Sequence, residues 1–316
     1  MNKTYRTQLV LGALLAAQCL LIVVLRSPFT NAHGPAEARL LLPELDGSAI
    51  RRIELTGGDG SVTLENSGGG WGITEQAGFP VDGVKVDDLL KTLLELRVRE
   101  PVVTSSRHHD SLKIADDDNE GRVRLYAAEE RPVADLIFGS SPNYRVLHLR
   151  LAGDDAVYEV RGMASYDVRP DPDAWADKAL VTVDASTVRE VRLSNVHGDV
   201  TLTREEDGWT VTAGGEVAPA NGDEVEQLVG ALCELRLIKP ADDGAETGLA
   251  EAVATATLQV LDGEDTREIV VRVGSPVAGN ESQRYVTKDG YGYNGIVWES
   301  AVQAVLERRL EDLVAS

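Results

Sequence analysis

The sequence predicts an α+β protein in which an N-terminal transmembrane helix precedes two tandem repeats of a mostly antiparallel sheet-plus-helix module. An uncharged run near the start, an internal repeat of about 138 residues, and strands that follow one another directly support this prediction. Strands joined by short turns pair antiparallel, because a parallel pair needs a long crossover connection. We divide the chain into a cytoplasmic tip with the anchor, a stalk, a first copy and a second copy, at 1–26, 27–48, 49–181 and 182–316.

The uncharged run extends from Leu9 to Leu25 and contains one amide, Gln18. Its 17 residues would form a helix of about 25 Å, at the short end for a membrane span. An uncleaved signal anchor fits this length, and a cleaved signal peptide or a lipoprotein is the alternative. All three export the rest of the chain. Lys3 and Arg6 before the run place the N-terminus in the cytoplasm and the bulk of the chain outside it.

The charge is unevenly distributed along the chain. The formal net charge is −21, and the residues after Arg26 hold 28 basic and 52 acidic side chains. Such a surface repels nucleic acid, so no nucleic-acid partner is expected. Hydrophobic residues make up 43% of the chain, as in globular proteins, and the 5% aromatic content argues against sugar-binding platforms.

The repeat consists of two blocks that align without gaps. Residues 50–74 align with 188–212 at a shift of 138, and nine of the 25 positions are identical. Residues 82–101 align with 221–240 at a shift of 139, and eight of the 20 positions are identical. Two chance similarities would not share nearly one register. The sequence therefore predicts one module present in two tandem copies.

Each copy contains several short strands around one helix. Three strands separated by glycine-rich turns come first, and Trp71 or Trp209 begins the third. Four strands follow the helix of each copy, namely Val123–Tyr126, Val133–Phe138, Tyr144–Leu149 and Ala156–Val160, then Ala256–Leu261, Glu268–Val273, Arg284–Thr287 and Gly295–Trp298.

The helix of each copy begins after a polar N-cap, Asp82 or Asn221, and Asn221 with Glu224 resembles a capping box. Apolar residues then recur at helical spacing. Cys233 lies on this apolar face, which predicts a core side chain rather than a nucleophile. The only other cysteine, Cys19, lies in the uncharged run, so no intrachain disulfide is expected.

The chain ends in an amphipathic helix predicted over Glu299–Leu313. Docking of this helix on its own sheet is the expected arrangement, and a face that binds a partner is the alternative.

Several features together resemble the bacterial DUF4340 family, whose domain has no known function. They are the N-terminal span, the strand at Trp71-Gly72-Ile73, Pro80-Val81-Asp82, the helix ending at Leu93-Leu94-Glu95-Leu96-Arg97, and the segment Trp175–Val181. Family members are often encoded beside gliding-motility-type ABC transporter components. The resemblance implies an accessory subunit of an inner-membrane complex of this ABC type, and it implies no catalytic residues.

Two polar segments are candidate metal sites. His108-His109-Asp110 could supply ligands, but adjacent residues point in different directions, and a solvated polar loop explains them better. Asp116, Asp118 and Glu120 place oxygen ligands at alternate positions, as in the first half of a calcium loop. The twelfth position is Ala127 instead of a bidentate glutamate, so an acidic turn explains the segment better, and weak calcium binding is the alternative.

The sequence lacks the motifs of common enzymes. It contains no nucleophile elbow, Walker loop, dinucleotide fingerprint or zinc-protease helix. The spaced glycines at 290–295 lie between predicted antiparallel strands, and a hairpin turn explains them better than a phosphate-binding loop.

We therefore expect no cofactor and no enzymatic activity, and a non-catalytic interaction module is the leading hypothesis. An extracytoplasmic protein that binds a cation or an envelope component between the copies, and a hydrolase with an unrecognised site, are the alternatives.

Overall fold

The computed structural model describes residues 37–58, 60–143 and 146–315. The anchor predicted at 9–25, with Cys19, lies outside the described residues. Within the part of the chain that is described, no helix is both long and apolar enough to cross a membrane.

The first copy forms an eight-stranded sheet. Its central strand, Arg52–Gly57, pairs with the strand Gly60–Asn66 on one side and with the strand Gly121–Tyr126 on the other. A separate pair of short strands, β1 (Arg39–Leu40) and β6 (Arg97–Val98), lies beside it. The strands of the sheet in chain order are β2 Arg52–Gly57, β3 Gly60–Asn66, β4 Trp71–Ile73, β5 Phe79–Pro80, β7 Gly121–Tyr126, β8 Ala134–Phe138, β9 Leu147–Leu151 and β10 Tyr158–Val160.

The second copy forms a nine-stranded sheet. Its strands are β11 Val188–Asn195, β12 Gly198–Glu205, β13 Gly208–Ala213, β14 Glu216–Pro219, β15 Lys239–Pro240, β16 Ala254–Asp262, β17 Asp265–Val277, β18 Asn280–Lys288 and β19 Gly295–Trp298.

The two sheets share one topology. The first has the order β5-β4-β3-β2-β7-β8-β9-β10, and the second has the order β14-β13-β12-β11-β16-β17-β18-β19-β15. All pairings between described strands are antiparallel. The predicted α+β class with mainly antiparallel sheets is confirmed.

Five helices accompany the sheets in the described chain. The helix of each copy buries its apolar face against the sheet, and Asp82 caps the first one by accepting a hydrogen bond from the Val84 amide at 3.2 Å. The helices are α1 Gly83–Glu95, α2 Pro172–Trp175, α3 Gly222–Cys233, α4 Glu299–Glu307 and α5 Leu310–Leu313.

Two helix predictions are wrong in detail. The Asn221 side chain makes no capping hydrogen bond, and Glu224 instead forms an ion pair with Arg308, so the capping box is absent. The predicted helix over Glu299–Leu313 breaks after residue 307. The side-chain amide of Asn195 donates to the backbone carbonyls of residues 305 and 308, both at 3.0 Å. These carbonyls, at the end of the helix, thereby gain hydrogen-bond donors.

The segment between the two copies hydrogen-bonds to both of them. Trp175 accepts from the Asp82 amide at 2.9 Å, so residues 175–177 extend the edge of the first sheet. Lys178 accepts from the Leu237 amide at 2.7 Å, and residues 180–181 bond to the segment after α3. The family-like segment 175–181 therefore joins the two sheets through its backbone.

The N-terminal part of the first copy repeats this arrangement. The Leu41 amide donates to the Leu96 carbonyl at 2.9 Å, just as the Leu180 amide donates to the Leu235 carbonyl at 3.0 Å. Leu41 is buried in the core. Residues 39–42, which the sequence assigns to the stalk, therefore pack on the first sheet.

One loop in each copy crosses the face of the sheet opposite the helices. The Ser140 amide donates to the Leu112 carbonyl at 2.8 Å, and the Ser275 amide donates to the Thr247 carbonyl at 2.9 Å. Small apolar clusters lie beneath both loops. The repeated Gly-Ser pair is thus the point at which the loop attaches to the sheet.

Candidate binding grooves

One candidate site of the first copy is a groove of about 710 Å³ along helix α1. One wall is the side of α1 that carries Asp88, Leu89 and Thr92, and the other is the segment 162–175. Trp175 is buried at its base and donates its indole N–H to the carbonyl of residue 169 at 2.8 Å. The groove is therefore shaped by a rigid helix and by a segment that a buried tryptophan holds in place.

A groove in the second copy occupies the equivalent place and has a volume of about 460 Å³. The equivalence follows from the backbone, because the Asn221 amide bonds to the Leu313 carbonyl at 2.8 Å as the Asp82 amide bonds to Trp175. Residues that line the first groove correspond to residues 139 positions later on the helix, and 138 positions later on the facing wall, of the second groove. The second groove is accordingly lined by Gln227, Leu228, Ala231, Ser300, Ala304, Glu307 and Asp312.

The two grooves differ in the wall that faces the helix. In the second copy this wall is α4, which packs against α3 and against the sheet. In the first copy the corresponding residues form a single 3-10 turn, Ser165–Val168. Tyr166, at the position of Ala304, is 70% exposed. The first groove is therefore wider and carries an exposed aromatic side chain.

A second cleft, of about 870 Å³, adjoins the groove of the first copy at Glu95. It reaches Ala38, near the first described residue. The groove and the cleft together carry more basic than acidic side chains, although the chain as a whole has a net charge of −21. These side chains are Lys85, Lys91, Arg97, Arg99, Arg161 and Arg169 on the basic side and Asp88, Glu95, Glu100, Glu159 and Asp167 on the acidic side.

A smaller cavity of about 450 Å³ lies between the two copies. Phe79 of the first copy packs edge-on against Tyr291 and Tyr293 of the second, with ring centroids 6.0 and 5.3 Å apart. The Tyr293 hydroxyl donates to the Gly78 carbonyl at 2.8 Å. These contacts close one side of the cavity and link the copies through side chains.

Polar groups at this contact between the copies are partly buried. Burial, with the nearby carboxylate of Asp177, raises the pKa of Tyr291 to about 12, and burial lowers the pKa of Lys288. In the described structure the Gln76 side-chain oxygen and the Tyr291 hydroxyl are buried without a hydrogen-bond partner. Of these two residues Gln76 lines the cavity, and a ligand that donates a hydrogen bond could satisfy its oxygen.

The histidine pair lies in two successive 3-10 turns, Ser106–His108 and Asp110–Leu112. His109 is buried, and its ring nitrogen lies 3.1 Å from the carbonyl of Asp155. His108 is exposed and accepts from the Arg107 guanidinium at 2.9 Å. The two histidine rings contact different partners, which supports the interpretation of this segment as a polar loop.

Basic side chains surround the acidic loop. Asp118 accepts from the Lys113 ammonium at 2.7 Å, and Asp116 lies 2.9 Å from the Arg150 guanidinium. Across the described residues, no group of three or more His, Cys, Asp or Glu side chains is placed to hold a metal ion. The calcium site at Asp116, Asp118 and Glu120 stays a prediction, and calcium would compete there with three cationic side chains, those of Lys113, Arg122 and Arg150.

Arg150 is a buried residue that the strand pattern did not predict. It is 1% exposed, and its Nε donates to the Ile114 carbonyl at 2.6 Å. Its Nη2 atom is close to Asp116 but is not aligned for a hydrogen bond. Arg150 therefore fastens the loop over the first sheet.

The glycines at 290–295 connect β18 and β19, the two strands of a hairpin, as the sequence predicts. Gly290 and Gly292 adopt φ of 77° and 79°, which is unfavourable for other residues. Tyr291 and Tyr293 of this loop pack against Phe79 of the first copy. This loop therefore contributes to the contact between the copies.

The grooves were not predicted as sites from the sequence, although the repeat contains the signal for them. Every candidate site in the sequence falls in one copy, whereas the groove occurs in both. If the surface residues of the two helices are aligned with the repeat shift, Leu89 corresponds to Leu228, and these two residues line the two grooves.

Comparison with known proteins gives a family for the central part of the chain. Residues 71–217 match the family described as a domain of unknown function, DUF4340. The match begins in β4 of the first sheet and ends in β14 of the second, so it includes helix α1 and the segment that joins the copies. No curated protein and no solved structure matches the chain.

Proposed function

Residues 71–217 belong to the DUF4340 family, and on this premise we propose that the chain is a non-catalytic, membrane-anchored interaction module. In this proposal residues 9–25 hold the two copies at the outer face of a bacterial inner membrane. The protein acts there as an accessory subunit of an ABC-type membrane complex. The duplicated module is the scaffold that presents the binding surface.

The observation that carries the proposal is the groove beside the central helix of both copies. Open grooves lined by helices suit the binding of other polypeptides. The groove of the first copy is lined by apolar, acidic and basic side chains, and its described lining contains no serine, cysteine or histidine. The association with an ABC-type complex rests on the family resemblance.

The test is recovery of a membrane partner. The full chain, tagged after Ser316, is extracted from its own cells in mild detergent and purified by the tag. We expect a membrane protein complex to copurify, and we expect a control chain whose residues 1–26 are replaced by a cleaved signal peptide to recover less of it. Recovery of no membrane protein by the full chain would refute the proposal.

The topology has a separate test. Alkaline phosphatase fused after Ser316 should be active, since the enzyme folds only outside the cytoplasm, and a fusion after Arg6 should be inactive. Inactivity of the fusion after Ser316 would contradict export of the two copies.

A second candidate function is binding of a small polar ligand in the cavity between the copies. The unpartnered side-chain oxygen of Gln76, a residue that lines the cavity, favours it. Calorimetry of the full chain in detergent with calcium and with soluble envelope extracts would detect such a ligand, and Gln76→Ala should abolish the heat if this cavity is the site.

A further inference from the structure

We infer that the groove of the first copy is the docking site for an amphipathic α-helix from a membrane protein. The inference rests on the proposed interaction function and names the surface and the kind of partner. The groove is the space bounded by Asp88, Leu89 and Thr92 of α1 and by Gly162, Tyr166 and Trp175 opposite.

The second copy supplies the template for the occupant. There, a nine-residue helix, α4, lies beside the equivalent helix and buries Val302 and Val305 against the same face of the sheet. In the first copy the corresponding residues form one short turn, and the groove is larger by roughly 250 Å³. The fold therefore accepts a second helix here, and the first copy leaves part of its place open.

The dimensions of the groove suit a short helix. Its lining extends along α1 from Lys85 to Glu95, which is about 15 Å at the rise of an α-helix. A partner helix of about ten residues, or three turns, has the same length. Contact over this length belongs to the small class of interfaces, so we expect a dissociation constant on the order of micromolar.

The side chains of the groove define the chemistry of that helix. Tyr166 is exposed on one wall, and tyrosine is enriched among the residues that dominate binding energies. Lys91 and Arg169 have no ion-pair partner within the described chain, and neither has Asp88. The partner helix would have an apolar face with charges of both signs at its edges.

The position of the groove favours a membrane protein as the source of the helix. The groove continues at Glu95 into the cleft that reaches Ala38. Ala38 comes 13 positions after Leu25, the end of the predicted anchor, so the cleft lies within about 45 Å of the bilayer even if this segment is fully extended. A helix just outside the membrane can reach the groove without a long linker.

The first test places a photo-crosslinking phenylalanine analogue at position 166 of the full chain in native membranes. A second chain carries it at position 92. We expect both to label one membrane protein, on residues that lie three, four or seven apart, as on one helical face. A third chain with the analogue at position 304, the equivalent in the second copy, should not label that segment.

The second test blocks the groove. Thr92→Trp should lower recovery of the partner from detergent extracts by about 30-fold, the loss typical of a residue that dominates binding energy. Ala231→Trp, at the equivalent position on α3, should leave recovery unchanged. Lys91→Glu, an exposed change that does not crowd the core, should also lower recovery, and hydrogen exchange must show all three variants folded.

Each contrary result has a distinct meaning. Labelling of residues 27–36 of the same chain would make an intrachain segment the occupant, and labelling between two copies of this chain would make it a dimer contact. Equal recovery by Thr92→Trp, Ala231→Trp and the unaltered chain would refute the groove but leave the interaction function standing. Recovery of no membrane protein by the unaltered chain would refute both.

Discussion

Gly274→Ala should destabilise the second sheet by about 2–4 kcal/mol. A Cβ atom at this position would lie 2.1 Å from the Thr247 carbonyl oxygen and 3.1 Å from Leu249, so the loop must move away. Overpacking of this kind costs about 1–3 kcal/mol. The hydrogen bond from the Ser275 amide to Thr247 is lost as well, at about 0.5–1.5 kcal/mol.

Hydrogen exchange of the full chain in detergent measures this loss locally. The amides of β17 and of residues 245–253 should exchange roughly 30- to 900-fold faster in the variant, which is the rate equivalent of 2–4 kcal/mol. Gly139→Ala tests the same contact in the first copy, where the Cβ would lie 2.5 Å from the Leu112 carbonyl oxygen. The matched control is Gly230→Ala, because no atom lies within 4 Å of the added Cβ.

The control should gain up to about 1 kcal/mol, since alanine is the better helix former in the interior of α3. Exchange in Gly274→Ala within threefold of the unaltered chain would refute the reasoning. It would mean that the loop moves away from the added methyl group without a loss of stability, and that the Gly-Ser pair does not attach the loop to the sheet.

Three further predictions concern titratable groups. Burial raises the pKa of Cys233 to about 11, so at pH 8 iodoacetamide should label its tryptic peptide only after urea is added; labelling without urea would contradict a core position. The raised pKa of Tyr291 should make the chain lose stability between pH 10 and 12 as the unfolded state ionises, and Tyr291→Phe should lose less over the same range in thermal melts. The hydrogen bond from the Trp209 indole, with Arg204, holds the pKa of Glu226 below its usual 4.5. Stability should therefore fall as the pH drops below 4.5, and urea titrations should show a weaker fall for Glu226→Gln.

Local pattern was sufficient for the elements that bury one face. The alternation around Ile53 and Val62 and the helical stripe around Leu89 predicted β2, β3 and α1, because burial of one face imposes the period on the sequence. Three of the four strands predicted after the helix of the second copy were too short, whereas β19 has the predicted bounds. β17 extends over 13 residues to Val277, since its polar ends continue the hydrogen-bonded ladder beyond the apolar core.

A short edge strand and a helix end that bonds to a distant side chain could not be predicted from the local sequence pattern. β15 is two residues long and exists because it pairs with β19, which lies more than 50 residues further along the chain. The break between α4 and α5 depends on Asn195, more than 100 residues away in the chain. Such events depend on which groups meet in space.

What the sequence determined by itself was the class of fold, the doubling of the module and the family, because periodicity and repetition are properties of order along the chain. Only the tertiary structure decided that the doubled module contains a doubled groove. The groove lies between Leu89 and Tyr166, which are distant in sequence, and its walls become neighbours when the Asp82 amide bonds to Trp175. The difference between the two grooves arises from one segment, a helix in the second copy and a single turn in the first, and its effect on the surface depends on the helix that it faces.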